Sequence, residues 1–247
     1  MPGCRSFGRL SSALDCAYIA SMPNMTPKPL LRPFSAVVFD MDGTLLDTEL
    51  VFREIVFDVS IGLGFEMTDA IHHAMVGSSH EVTNALLVEA YGVAFPYTMF
   101  DEQCRVKMRA RMAEAVPVKP GVHELLAELK ARRIPTAVAT SSRAAHALAH
   151  LNAAGILGTF EAVVTRDDVT NPKPHPEPYL TATGRLGFDP VHCLAVEDSH
   201  AGVRAASAAG LQTIMVPDLV DPSDEITALC TAVMSSLHDL RHAAFTH

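Results

Sequence analysis

The chain is short of lysine and has no long apolar run. Only five lysines occur in 247 residues, Lys28, Lys107, Lys119, Lys130 and Lys173, and Lys and Arg together number 19 against 28 Asp and Glu. The resulting net charge of −9 argues against a nucleic-acid or anionic-membrane partner. No segment reaches the ~18 unbroken apolar residues that a membrane-spanning helix needs, although 49% of the residues are hydrophobic. Cysteine is sparse as well. Cys4, Cys16, Cys104, Cys193 and Cys230 are odd in number, widely spaced and without a C-x-x-C pair. That pattern fits free thiols in a reducing compartment rather than a disulfide framework or zinc site. No internal repeat is present. These absences leave an anionic globular protein, expected in the cytoplasm, with no obligate protein partner evident. In so lysine-poor a chain, any lysine in a motif context stands out.

What the chain does have is alternation. From Phe34 onward, short apolar runs alternate with amphipathic helical patterns, the signature of an α/β protein with a parallel sheet. Strands are expected at 36–39, 136–140, 162–165, 193–196 and 213–216. Val122, Leu125, Leu126 and Leu129 share one helical face, as do Ala144, Leu148 and Leu151 before Gly155. Ser199 can cap a helix that runs through Val203 and Ala206 to Gly210. Between the first strand and Pro120, strand character is missing. Apolar residues there recur at helical spacing, Leu86, Leu87 and Tyr91, then Met108, Met112 and Val116. The expected organisation is therefore a core of residues 34–49 and 119–247 with a helical cap at 50–118.

Residues 1–33, with five prolines and little periodicity, are expected to be a loosely ordered extension. Arg5 and Arg9 precede the first acid, Asp15, so an organelle presequence is one reading, and a true start at Met22 or Met25 is another. The apolar segment 13–20 is interrupted by Asp15, which weakens a secretory reading.

Four stretches carry the chemistry. The first strand ends in Asp40-Met-Asp42-Gly43-Thr44, two carboxylates delivered into a turn opened by glycine. Paired acids at the C-terminal end of a buried strand are costly unless a cation or proton sits between them, and open α/β sheets place ligands at that end. The second strand ends in Thr140-Ser141-Ser142, either a phosphate-oxygen site made with the following helix N-terminus or an ordinary helix cap. The third stretch, Asn171-Pro-Lys173-Pro-His-Pro, fixes a lysine between two prolines in stiff backbone, which suits a residue held against concentrated negative charge. Alone it could be a surface lysine in a proline-rich loop. The fourth, Ala195-Val-Glu197-Asp198-Ser199, again ends a buried strand in two acids. They could be helix-capping groups or part of a hard-cation site, for which Mg²⁺ is the natural occupant.

Each stretch is ambiguous by itself. Taken together, in order and with a cap-sized insertion in the expected gap, they closely resemble the haloacid dehalogenase superfamily of phosphohydrolases over about residues 34–240. The resemblance implies a Rossmann-like core with an inserted helical cap. It implies Asp40 as nucleophile, Asp42 as general acid and base, and Lys173 bound to nucleophile and phosphoryl group. Mg²⁺ would be held by the Asp40 carboxylate, the Asp42 carbonyl and Asp198, with Glu197 beside the metal or linked to it through water. Thr140 and Ser141 would hold phosphoryl oxygens with Lys173.

The same scaffold serves other chemistries, and the sequence speaks to each. Dehalogenases need neither an acid two residues after the nucleophile nor Mg²⁺, so Asp42 and the Glu197-Asp198 pair argue against them. Phosphonate-cleaving relatives use a cap lysine where this chain has His80, in Val76-Gly77-Ser78-Ser79-His80. The β-phosphoglucomutase type carries a histidine where this chain has Phe52 and a phosphate-gripping arginine at the place of His80. The reading that remains is a Mg²⁺-dependent phosphatase of a small phosphomonoester, a sugar phosphate or similar metabolite. A sugar phosphomutase and a non-catalytic phosphometabolite-binding protein are the alternatives. Gly77, Ser79 and His80 would form the cap's substrate loop, with Arg143 a further substrate contact. His72 and His73 diverge by about 100° on a helix, so they are not expected to share a metal.

Overall fold

Strand-forming runs that are apolar on both faces dictate a sheet covered on both sides, and the computed structural model of the chain, which describes residues 31–75 and 80–245, has such a sheet. Strands β1 (Ala36–Phe39), β2 (Thr136–Ala139), β3 (Ala162–Val164), β4 (Cys193–Glu197), β5 (Gln212–Met215) and β6 (Ala232–Val233) pair in parallel in the order β3-β2-β1-β4-β5-β6. The first five fall where expected to within a residue. β6 was not anticipated, because a two-residue, half-exposed edge strand is too short to leave a periodic trace.

The two faces of the sheet differ in the size of their side chains. Val37, Phe39, Val138, Leu194, Val196 and Ile214 pack into one layer, with Leu125 and Leu129 of helix α5 (Val122–Ala131) and Leu240 of α10 (Leu237–Phe245). The opposite face is lined largely by alanine, Ala36, Ala137, Ala139 and Ala195. Small residues there admit α7 (Glu177–Leu186) close to the sheet, with the whole of Tyr179 inside the core. Helix α8 (His200–Ala208) covers the same face through Ala205 and Ala206.

Between β1 and α5, the described residues of the insertion form helices α1 (Thr48–Gly62), α2 (Asp69–Met75), α3 (His80–Tyr91) and α4 (Tyr97–Glu114). Val51, Ile55, Val56 and Val59 form the buried stripe of α1, and Phe100, Cys104 and Met112 that of α4. The chain leaves and re-enters the core at one place. Asp47 N–H donates to Pro117 C=O at 2.9 Å, Lys119 N–H donates to Leu45 C=O at 2.9 Å, and Leu46 bridges Val118 antiparallel. Among the described residues no helix is long and apolar enough to cross a membrane.

Two expectations need correction. Ordered chain extends at least to Leu31, which is buried. Arg32 exchanges hydrogen bonds with the buried amide of Gln212, at 2.8 Å through its N–H and 3.0 Å through its C=O. Residues 1–30 lie outside the described part. In helix α6 (Ala144–Ala153) the buried stripe is Ala147 and Leu151, whereas Leu148 is 44% exposed. So many alanines in that helix leave too little contrast for periodicity to fix the face.

Past β3, Asp168 accepts from Thr165 N–H and Oγ1 at 2.8 and 2.6 Å and pairs with Arg185 of α7 at 2.5 Å. Partial burial opposes ionisation, but the bonds from Arg185 and Thr165 outweigh it and hold the carboxyl down at about 2. A depressed carboxyl stabilises the fold above its ordinary pKa and loses that contribution as pH falls through the depressed value. Asp168→Asn should therefore lower unfolding free energy by about 1 kcal/mol near neutrality, a figure reduced for solvent screening. Chemical denaturation should show the gap closing between about pH 4 and pH 2; a gap that persists to the acid end would contradict the ion-pair account.

Candidate active site

The strand order places the site. Chain connections run from β1 to one side through β2 and β3, then cross to β4 and continue outward. Ligands bind in the crevice beyond the C-terminal ends of strands at such a reversal. Asp40 follows β1 there, its N–H donating to Val196 C=O at 2.9 Å, and Glu197 and Asp198 end β4 beside it.

After Asp40 the backbone turns sharply. Gly43 adopts φ +86°, and Leu45 and Leu46 N–H both donate to Met41 C=O at 2.9 Å. A Cβ at Gly43 would also lie 2.3 Å from Asp198 Oδ2, so space and conformation both demand glycine. Thr44 Oγ1 donates to Asp198 Oδ1 at 3.1 Å, which locks the turn to β4.

Lys173, 4% exposed, lies between two acids. Its Nζ is 2.5 Å from Asp40 Oδ1 and 2.5 Å from Glu197 Oε1. Glu197 is wholly buried and saturated. Oε1 also accepts from Tyr179 Oη at 2.6 Å, and Oε2 accepts from Ser199 Oγ at 3.0 Å and from the N–H groups of Asp198 and Ser199 at 3.2 and 3.3 Å. Gly202 makes the space, since a Cβ there would fall 1.8 Å from the Glu197 carboxylate.

The electrostatics of this cluster are unbalanced. Burial is the main force pushing Asp40 well above the ordinary carboxyl range; Lys173 opposes it, while Glu197 and Asp198 add to it. Burial and then Glu197 push Asp198 up to about 7. Burial works against the Lys173 ammonium, but Asp40 and Glu197 outweigh it and keep it charged. Three carboxylates thus share one ammonium. One oxygen from each of Asp40, Glu197 and Asp198 lies within 4.8 Å of the others, a spacing that suits a hard cation. A further buried oxygen, Oδ2 of Asp218, has no partner, while its Oδ1 takes Lys119 Nζ at 2.6 Å. The donor set therefore fits a divalent metal through Asp40 and Asp198. Glu197, expected beside the metal or linked to it through water, belongs to this group, and its oxygens also accept from Lys173, Tyr179, Ser199 and two backbone N–H groups. The Asp42 carboxylate is not in the cluster. It faces a cavity and accepts from Ser142 Oγ at 2.9 Å.

Thr140 is buried at the end of β2, its Oγ1 accepting from Ser142 N–H at 3.0 Å. Ser141 beside it is exposed. The cavity, about 580 Å³, has Asp42 and Ser142 on one side and side chains of α1, α3 and α4 opposite. His80 is among them, with Nδ1 3.1 Å from Tyr97 Oη and 3.5 Å from Asp101 Oδ1. Arg143 is not brought there. It is exposed and pairs with Asp167, which also accepts from Ala144 N–H at the start of α6. Gly77 and Ser79 lie outside the described residues. His72 is buried while His73 is exposed, so the two diverge as expected.

Sequence reasoning did not single out Thr44, Ser142, Tyr179, Gly202 or Asp218. For Asp218 a signal existed, since Val216-Pro217-Asp218 is an acid just past yet another strand at the same sheet edge. For Gly202 none did, because the need for it comes from a carboxylate folded back from another element.

A family model described as haloacid dehalogenase-like hydrolase matches residues 37–216. A phosphorylated carbohydrates phosphatase of Thermotoga maritima is 34% identical over 179 residues, covering 72% of this chain and 83% of that protein. A probable pseudouridine-5'-phosphatase of Drosophila melanogaster is 33% identical over 222 residues, 87% of this chain and 95% of that one. Among solved structures, a HAD family hydrolase from Deinococcus radiodurans R1 with bound phosphate and sodium superposes with a TM-score of 0.76 at 28% identity, over 85% of this chain and 95% of that one.

The glycine at 202 offers a clean test of the packing around Glu197. Gly202→Ala should cost at least about 2 kcal/mol, as overpacking of a filled site does. Gly184→Ala is the matched control, a helical position with nothing within 4 Å of the added carbon, and should be neutral or stabilising. Equal denaturation midpoints for the two variants would contradict the packing described.

Proposed function

The chain belongs to the haloacid dehalogenase-like hydrolases and is a phosphatase of that family, and on that premise we propose that it hydrolyses a small phosphomonoester through an aspartyl-phosphate on Asp40 with the aid of Mg²⁺. One observation carries the proposal. Two carboxylates two residues apart sit in opposite environments, Asp40 buried against Lys173 and Asp42 turned to the cavity and held by Ser142. Divergent surroundings are what a nucleophile and an acid–base pair require.

In the first step an Asp40 carboxylate oxygen attacks phosphorus and the ester P–O bond breaks. Asp42 gives its proton to the leaving alkoxide. In the second, Asp42 takes a proton from water, the water oxygen attacks the phosphorus of the acyl phosphate, and Asp40 is released with inorganic phosphate. Lys173 favours the ionised form of Asp40, an effect a bound Mg²⁺ would add to, and would face the phosphoryl group as charge spreads over its oxygens. Thr140 still has a hydroxyl proton to donate on that side. Asp40 and Asp198 would hold the Mg²⁺, which supplies charge neutralisation to the nucleophile and the phosphoryl oxygens. The Ser142 hydroxyl orients Asp42, so its role is positioning.

The insertion helices support a cap over 50–118 that closes on the bound substrate and excludes water from the first step. Cys104, Cys193 and Cys230 are all unpaired, which supports a reducing, cytoplasmic setting.

Phosphate release from a panel of sugar phosphates, nucleoside monophosphates and phosphoglycolate tests the reading. Activity should vanish with EDTA and return with Mg²⁺. Asp40→Asn should lower kcat by at least about 10³-fold, and Asp42→Asn by at least about 10²-fold with substrate binding retained. Undiminished release from the Asp40→Asn protein, or in EDTA, would contradict it.

A further inference from the structure

The walls of the cavity above Asp42 carry a charge pattern that bears on what the rest of the substrate can be. The cavity's carboxylate, guanidinium and imidazole groups are the acids Asp42, Glu49 and Asp101, the single guanidinium of Arg105, and the imidazoles of His80 and His150. Arg105 is already committed. Its Nε lies 3.1 Å from Asp101 Oδ2 and an amino group lies 3.6 Å from Glu102. The chief force on His150 is burial, which lowers its basicity. Arg143 turns outward to Asp167, and Lys119 is engaged by Asp218 and Asp47. Residues 76–79 of the sequence, next to His80, bring no ionisable side chain. Among the described residues lining the cavity, three acids face one guanidinium and two imidazoles, and that guanidinium is already paired.

What it does have is hydrogen-bonding groups facing an apolar wall. His80, Tyr97 and Asp101 form one linked polar set from α3 and α4. Phe52, Met75, Phe100 and Met108 supply the wall. Such a surface suits a chain or ring with hydroxyls on one side and C–H bonds on the other.

Resting on the phosphatase reading above, we propose that Asp101, paired with Arg105 and linked to His80 and Tyr97, makes this cavity selective for monophosphates of uncharged, hydroxyl-bearing molecules and rejects a second phosphate or a carboxylate. Asp101 accepts from hydroxyls and cancels the one guanidinium that could otherwise grip an anion. A substrate with a second negative group would find the one guanidinium already taken by Asp101 and would lie beside the Glu49 carboxyl, an arrangement that gives an anion no partner to replace its lost water.

Sorbitol 6-phosphate and 6-phosphogluconate share a carbon skeleton and differ at one end, a hydroxymethyl group against a carboxylate. With the full chain and Mg²⁺ at pH 8, above the ordinary imidazole range, kcat/KM should favour sorbitol 6-phosphate by at least about tenfold. Asp101→Asn frees Arg105 and should narrow that ratio by about fivefold. The double variant Asp101→Asn/Arg105→Gln should restore it. A merely structural Asp101 would lower both substrates together and leave the ratio unmoved. Calorimetry on the Asp40→Asn protein with the same two compounds reads the ratio without turnover. Equal or reversed preference, or a ratio indifferent to Asp101, overturns the proposal. Hydrolysis of p-nitrophenyl phosphate, assayed alongside, shows separately whether the phosphatase reading stands.

Discussion

The ammonium of Lys173, fixed between Asp40 and Glu197, is the interaction on which the rest of the site depends. Two buried carboxylates at neighbouring strand ends repel, and burial penalises each. One lysine cannot neutralise them together with Asp198. It can hold Asp40 in place while leaving a residual negative charge toward the side where Asp198 and the unpartnered Asp218 oxygen lie. A scarce residue type is thus spent where no other element could do the work. Tyr179, Ser199 and two backbone N–H groups complete the shell of Glu197, so the lysine's second partner cannot move without leaving buried donors unpaired.

The fold explains why these groups meet. Lys173 precedes α7, Asp40 follows β1 and Glu197 ends β4, and all three converge because β1 and β4 are adjacent at the reversal of strand order. The alanine-lined face of the sheet lets α7 approach closely enough for Tyr179 to reach Glu197 from within the core. Gly43 and Gly202 then supply the two openings into which the Asp198 and Glu197 carboxylates fit. Packing and catalysis are therefore not separable at this end of the sheet; side-chain sizes in the core set the distances between charges.

Much of this was legible in the sequence, and for identifiable reasons. Continuous apolar runs ending in acids announce strands and strand-end carboxylates without reference to the rest of the chain, so Asp40, Asp42, Asp198 and the strand limits could be read locally. Lys173 was legible because prolines flank it. The donors that fill both oxygens of Glu197 were not legible, since Lys173 and Tyr179 reach it from a distant part of the chain. Ser142 and Thr44 look like any turn hydroxyls until their partners are seen. Arg143 was drawn toward the site by its position in a helix's first turn, but an acid distant in the chain, Asp167, claims it. The stripe of α6 was misread because alanine is nearly neutral in any hydrophobic pattern.

The central claim is that Asp40 carries the phosphoryl group in turnover. Rapid acid quench of the wild-type protein during turnover, followed by peptide mass mapping, tests it directly. The account predicts one phosphoryl group on the peptide containing Asp40, absent before substrate is added and absent in the Asp40→Asn protein. Turnover with that peptide unmodified at every quench time, or with the phosphoryl group on a different residue, would contradict it.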